Sequence, residues 1–373
     1  MPDGARGLEG VVVASSSMSK VFGEQGNLVY RGFGIHDLAQ HSSFEEVVYL
    51  LWHGALPRRD ELESFRARLA ARRTVPAPVL DWIRGAPRED SMATLRTAVS
   101  MLSGYDDDAG DTSPGAARRQ SERLVARVAT LVAAIGRRRM DAEPLAPDPG
   151  LSHAANFLYM LSGARPQDEA TRTFDQALVL HADHGFNAST FSARVTASTL
   201  SDVHSAIVSA IGTLKGASHG GANTRVMEML LEIASSGVEP AAWIRAALQK
   251  HQRIMGFGHR VYKVEDPRAT HLRRASEALS LATGDDTWFR MSQAIEAVVH
   301  GEKGLYPNVD FYSASTYYML GIPTHLFTPI FALSRVAGWT AHVLEQMQDN
   351  RLIRPRSNYT GPESATYIAL ADR

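Results

Sequence analysis

The sequence predicts an all-α chain of many helices with one short β-hairpin near its N-terminus, and three observations carry that prediction. Helical apolar periodicity with start and stop signals recurs from residue 43 to residue 347. Only residues 10–31 read as strand: Val11–Ala14 is a largely β-branched run, and Gly23–Gly26 supplies a turn before Leu28–Tyr30. At 373 residues the chain is longer than one hydrophobic core usually serves, so two domains, or a large domain with an inserted one, are expected.

Taken in order, Ser43-Phe44-Glu45-Glu46 fits a capping box, and Gly54 with Pro57 stops the helix it starts. Arg58–Arg73 reads as a charged amphipathic helix, after which Pro76 and Pro78 break the chain. Ser91–Ser103 is helical, Tyr105–Gly115 an exposed acidic loop, and Ala116–Arg138 a long helix whose terminal arginines suit its dipole. Helices follow at Leu151–Leu161, Asp168–His181, Asn187–Leu200, Val203–Leu214, Asn223–Ser235 and Pro240–Met255. Beyond the loop 256–268 come Ala269–Leu281, Thr287–His300, Asp310–Leu320 and, after Pro323 and Pro329, Phe331–Met347. Residues 348–373 are polar and irregular. That many helices pack in layers, not as a simple bundle.

Composition excludes several classes. A formal net charge of −1 supplies no broad field for nucleic acid or an anionic membrane. With no cysteine there is no disulfide, thiolate nucleophile or Cys-ligated metal. Neither a signal-peptide core nor a run long and apolar enough to span a bilayer is present, so a soluble cytoplasmic protein is expected. The core pattern begins almost at once, which favours a simple enzyme without an N-terminal nucleotide-control segment.

The chemistry concentrates in four places. In KGASHGGAN (215–223) a helix ends, His219 follows a small-residue turn, and Gly220-Gly221 let the backbone approach a ligand at the next helix start. Such a histidine either helps a cap or donates to an oxygen that gains negative charge. His181-Ala-Asp-His184 has the spacing of half a metal site, but no third ligand is evident and HExxH is absent, so no metal is expected. Gly256-Phe-Gly-His259-Arg260, with Lys263 nearby, resembles a loop for a phosphate-bearing ligand without being a Walker A or a dinucleotide fingerprint. Asp310 opens a helix after Pro307-Asn308; it reads both as a first-turn acid and as a base kept ionised by the dipole. Arg268, Arg335 and Arg354 are dispersed arginines of the kind that fix small polycarboxylates. Without a G-x-S-x-G elbow, the set points to acid–base chemistry on a small anion more than to a serine hydrolase.

These residues lie in LHADHGFNASTFSARVTASTLSD, KGASHGGAN, IMGFGHRVYKVEDPR, YPNVDFYSA and RPRSNYTGP, whose order and spacing resemble the citrate synthase family over nearly the whole chain. The N-terminal segment from Gly7 to Leu51 is similar too; Phe22, where an Asp is expected, is a departure confined to the hairpin. The resemblance implies an all-α fold with a large domain (1–219 and 316–373) and a small domain (220–315) that closes over the substrates. It implies a homodimer that condenses acetyl-CoA with oxaloacetate and hydrolyses citryl-CoA to citrate and CoA, as in the tricarboxylic acid cycle, with no cofactor beyond the CoA substrate. Carried over residue by residue, Asp310 is the base, His219 the donor to the enol oxygen, and His259 the group that polarises and protonates the ketone. His184, Arg268, Phe331 and Arg335 match the oxaloacetate site, with Arg354 reaching in from the second subunit. Ile254, Met255, Gly256, Phe257, Gly258, Lys263 and Arg356 match the CoA region. Three alternatives stand beside this reading: 2-methylcitrate synthase acting on propionyl-CoA, a catalytically silent CoA-binding regulatory paralogue, and a metal-dependent lyase built on the HADH run.

Overall fold

Gly23–Gly26 turn the chain so that β1 (Ser19–Phe22) lies antiparallel to β2 (Asn27–Tyr30), with Phe22 opposite Asn27. A second reversal at Arg31-Gly32, both at positive φ, adds β3 (Phe33–Gly34) to give the order β1-β2-β3. The computed structural model describes residues 6–8 and 10–373. Phe22 does not disturb the hairpin, and the Lys20 ammonium sits 4.7 Å over its ring. The expected strand at Val11–Ala14 does not form. No described strand pairs with it, and Val12 is 89% exposed.

Everything else is helical. α1 (Ile35–His41) leads into α2 (Phe44–His53), where the anticipated capping box is complete: Ser43 accepts from the Glu46 N–H and Glu46 accepts from the Ser43 N–H. α3 (Arg59–Ala71) is followed by α4 (Ala77–Gly85), which the two prolines had hidden. Pro78 lies in its first turn, where a missing N–H breaks no intrahelical bond. α5 (Ser91–Leu102), α6 (Pro114–Arg139), α7 (His153–Ser162), α8 (Asp168–His181), α9 (Ala188–Ser198) and α10 (Val203–Leu214) follow the expected pattern. α11 (Ala222–Ser236) and α12 (Pro240–Gln249) come next; α12 stops six residues before Met255, and the chain turns into a loop at His251, which has positive φ. α13 (Pro267–Thr283), α14 (Thr287–Lys303) and α15 (Val309–Met319) precede α16 (Phe327–Gln348), which begins four residues before Phe331 with Pro329 inside its first turn. Residues 349–369 are irregular.

α16 is the spine. Apolar on nearly every side, it is buried along most of its length and packs on α2, α6, α8, α9 and α10. Helices α11 to α15 pack mainly on one another, meeting the rest through α1 and α8 against α13, and through α16 against α11. Among the described residues no helix is long and apolar enough to cross a membrane.

One glycine sets how closely the spine meets the end of α8. The Gly338 N–H donates to the Ala182 carbonyl at 3.1 Å, and a Cβ there would stand 2.5 Å from that oxygen. In an open helix interior Gly→Ala gains about 1 kcal/mol. Here the carbonyl belongs to backbone and has nowhere to go, so overpacking of about 1–3 kcal/mol wins. Gly338→Ala is therefore expected to lower the thermal midpoint in a scanning-fluorimetry melt; an unchanged or raised midpoint would show the contact to be soft.

Candidate active site

Several helix ends and one helix middle converge: the HADHG turn after α8, the start of α9, the turn between α10 and α11, the loop 250–266, the starts of α13 and α15, and the centre of α16. Three imidazoles there each have one ring nitrogen engaged by the protein. His219 is set by the turn closed by His219 N–H to Gly216 O (2.9 Å) and Gly220 N–H to Leu214 O (3.0 Å). A Cβ on Gly220 would lie 2.5 Å from the Leu214 carbonyl, so the end of α10 by itself requires that glycine, while Gly221 has open space around it. His219 Nε2 accepts from the Ser189 N–H at 3.3 Å and lies 2.8 Å from Ser189 Oγ, which in turn accepts from Trp339 Nε1–H at 3.1 Å. The Ser189 N–H can only donate, so that contact makes Nε2 an acceptor and leaves the ring proton on Nδ1, while the Ser189 hydroxyl lies between Nε2 and Asn187 Oδ1 (2.7 Å).

The same logic sets His259 with the nitrogens reversed. Its Nδ1 accepts from the Val261 N–H (3.0 Å) and the Tyr262 N–H (3.1 Å), which leaves the proton on Nε2. His184 Nε2 lies 3.3 Å from the Tyr262 hydroxyl, and the His184 and His259 rings meet edge to face at 5.4 Å. Burial, with Arg335 close by, lowers the His219 pKa to about 4; burial and Arg268 do the same for His259. Both are neutral donors at pH 7, not cations.

Two buried guanidinium groups supply the positive charge. Asp266, the N-cap of α13, accepts from the Arg268 N–H and Nε (both 3.0 Å) and Nη2 (2.8 Å), and from the Val309 N–H at 3.2 Å. Arg335 donates Nε–H to the His181 carbonyl at 2.6 Å and lies 4.6 Å over the Phe331 ring. Among the described residues it has no carboxylate partner in ion-pair range, and burial lowers its pKa to about 10. Asp310 sits in the first turn of α15, whose N-cap is Asn308; its N–H donates to Asn308 Oδ1 at 3.0 Å. Its place at a helix start does not make it a stronger acid than usual, although it is still mostly ionised at pH 7. Burial raises its pKa to about 6, with Arg268 and Arg335 pulling the other way and Asp266 reinforcing the rise.

The other expected residues divide. The loop is tied to residues 306–308: Gly258 N–H donates to Tyr306 O, Asn308 N–H to Gly256 O, and Asn308 Nδ2 to Gly258 O, each at 2.9 Å. Gly256 has φ +83, and a Cβ there would press on Val226 and Phe311 within 3.0 Å, so the glycine is sterically required. Ile254 and Met255 line a cavity of about 430 Å³ with Arg225, Met229, Trp243 and Arg253. Phe257 is buried against Phe311 (4.5 Å), while the Lys263 side chain is exposed. Arg354 and Arg356 lie in the exposed tail, away from any side-chain partner among the described residues. In the HADH run, the three polar side chains go separate ways. His181 Nδ1 pairs with its own helix at Ala177 O (2.8 Å), Asp183 turns to Ser19 and His342, and His184 to Tyr262. Among the described residues no group of three His, Asp or Glu side chains is placed to hold a metal.

Sequence reasoning missed the residues behind the histidines. Ser189 and Asn187 lay inside a quoted motif, and Asp266 and Tyr262 beside assigned residues, but nothing in their spacing says that Ser189 meets His219 30 positions away or that Tyr262 meets His184 78 positions away.

With this geometry described, the comparisons fall into place. The family model for the citrate synthase C-terminal domain matches residues 7–356. A citrate synthase of Haloferax volcanii is 54% identical over 99% of this chain and 98% of its own. A 2-methylcitrate synthase of Mycobacterium tuberculosis is 43% identical, over 97% and 92%. Among solved structures, the citrate synthase of Pyrobaculum aerophilum superposes with a TM-score of 0.92 at 41% identity, covering 99% of this chain and 95% of that one. That of Thermoplasma acidophilum, a ternary complex with carboxymethyl coenzyme A and oxaloacetate, gives 0.91 at 32% identity over 99% of both chains. This chain belongs to the citrate synthase family.

Proposed function

We propose that the protein condenses acetyl-CoA with oxaloacetate and hydrolyses the citryl thioester, and that His219, His259 and Asp310 carry the chemistry. The observation that supports this most strongly is that two neutral imidazoles with complementary tautomers, Nδ1–H on His219 and Nε2–H on His259, and the near-neutral carboxylate of Asp310 all lie in the field of Arg268 or Arg335. Asp310 takes a proton from the acetyl methyl group, and the electron pair moves onto the thioester oxygen, where His219 Nδ1–H receives it. The enol carbon then bonds to the oxaloacetate ketone carbon, and the ketone oxygen takes up the proton offered from His259 Nε2. Water finally cleaves the thioester, releasing CoA and citrate.

Arg268 and Arg335, with His184 and the Phe331 ring, bind the two carboxylates of oxaloacetate. The charge balance supports this: Arg268 is partly engaged by Asp266, while Arg335 has no anionic partner. The CoA moiety lies along Ile254–Gly258 and Lys263, where the 430 Å³ cavity has room for its adenine end. No resident cofactor or metal enters this scheme. Residues 220–315 are read as a small domain closing on the remainder, consistent with α11 to α15 packing chiefly among themselves. Closure dries the site, which a carboxylate needs in order to strip so weak a carbon acid. A cytoplasmic homodimer completes it: the irregular tail exposes Leu352, Tyr359, Tyr367, Ile368 and Leu370, a surface suited to a second copy that would receive Arg354 and Arg356. Acetyl-CoA is preferred to propionyl-CoA as donor because the relative named citrate synthase is more similar (54% against 43%) than the one named 2-methylcitrate synthase.

Two predictions follow from Asp310 and His219. Asp310→Asn and His219→Ala should each cut turnover by ~10²-fold or more in a thiol-release assay, with oxaloacetate affinity largely kept. Normal turnover in either variant would remove that residue from the scheme. Asp310 is also held at a stability cost. With the folded pKa raised from 3.8 to about 6, the native state binds the extra proton between those values, so stability falls as pH rises through them. Asp310→Asn should then raise the thermal midpoint at pH 8 and do so much less at pH 5; an equal shift at both pH values would mean the acid is not buried as described.

A further inference from the structure

The engaged nitrogens of two site imidazoles share one partner, Tyr262, with the Val261 N–H also reaching His259 Nδ1. Tyr262 is 3% exposed, its peptide N–H donates to His259 Nδ1 at 3.1 Å, and its hydroxyl lies 3.3 Å from His184 Nε2. The three rings form a closed triangle, with centroids at 4.7 Å (His259–Tyr262), 5.7 Å (His184–Tyr262) and 5.4 Å (His184–His259).

Which partner donates in the Tyr262–His184 bond follows from proton counting. Burial raises the Tyr262 pKa well above the usual phenol range, with Arg268 opposing, so the hydroxyl keeps its proton. Burial, then Arg268, Arg335, His259 and His181, hold His184 neutral. Two arrangements remain: Tyr O–H to Nε2, or Nε2–H to the phenol oxygen. The second strands the phenol proton, since the described residues offer it no other acceptor. The first leaves only the Nδ1–H of the half-buried His184 without a protein partner.

We infer that Tyr262 is a positioning residue for the reaction: its phenol donates to His184 Nε2 and sets that tautomer, while its peptide N–H, beside that of Val261, donates to His259 Nδ1, so that one residue orients both imidazoles. The donors left for the bound dicarboxylate are His184 Nδ1–H and His259 Nε2–H. Without the phenol, His184 is free to take the other tautomer and present a lone pair to a substrate oxygen, a repulsive contact. The inference rests on His184 and His259 forming the oxaloacetate site.

The test uses the full-length enzyme as wild type, Tyr262→Phe, His184→Gln and the double variant. Tyr262→Phe keeps the ring packing and the peptide N–H and removes only the hydroxyl. It should raise the calorimetric Kd for oxaloacetate about tenfold, with the acyl-CoA KM and the thermal midpoint nearly unchanged. The affinity deficit of Tyr262→Phe should shrink as pH falls, because loss of the donor to Nε2 eases protonation of His184 and the imidazolium presents Nδ1–H to the dicarboxylate whichever neutral tautomer is preferred. Arg268 from α13, Arg335 from α16, His259 from the loop and His181 from α8 stay in place in both proteins. In the His184→Gln background the Tyr262→Phe change should add almost nothing. Wild-type affinity in Tyr262→Phe, full additivity in the double variant, or a deficit that grows as pH falls would each overturn the inference. A wild-type enzyme that binds no oxaloacetate would instead sink the proposed function, and the inference with it.

Discussion

The carboxylate of Asp266 is the contact on which the site's geometry depends. It caps α13, grips Arg268 through three N–H groups and receives the Val309 N–H, so one buried anion sets a guanidinium and the start of the helix bearing Asp310 at the same time. Removing two charges from water is expensive, and a pair of this kind is retained only where the hydrogen bonding is this complete. Burial alone would raise the Asp266 pKa, but Arg268 more than offsets it and holds the acid ionised. The loop that carries His259 joins the same unit through residues 256–258, which are bonded to residues 306–308 immediately before α15.

On the other side stands α16. It contributes Phe331, Arg335, Gly338 and Trp339 along one helix: the ring under a guanidinium, the guanidinium itself, the close contact to Ala182, and the indole that orders Ser189 behind His219. The spine therefore links Arg335 to the tautomer of His219. Arg335 has been paired with a carbonyl and an aromatic face in place of a carboxylate, which leaves local positive charge for a dianion to neutralise.

The glycine-flanked histidines and the helix-opening aspartate each had a purely structural reading as well, and they were legible as a set because the motifs that hold them resemble one family along the chain. Helix placement was legible wherever caps were clear, as at Ser43 and Gly54. The failures have physical causes. Pro78 and Pro329 read as breaks but serve as first-turn residues, so α4 was missed and α16 was started late. Val11–Ala14 has strand propensity but no partner strand among the described residues, and pairing, not propensity, makes a sheet. The rise in the Asp310 pKa could not be read either, because burial is a property of the packed state. Ser189 and Tyr262 carry no sequence signal, since what they do depends on contacts formed only when distant segments meet.

The account turns on a buried arginine pair that is short of negative charge before any acyl-CoA arrives. Titrating the free enzyme calorimetrically with oxaloacetate and with pyruvate, in the absence of any CoA ester, tests this directly. Saturable oxaloacetate binding, with pyruvate at least ~100-fold weaker for want of the second carboxylate, is what two forked cation contacts predict. Equal binding of the two acids, or oxaloacetate binding only after a CoA ester is added, would contradict it.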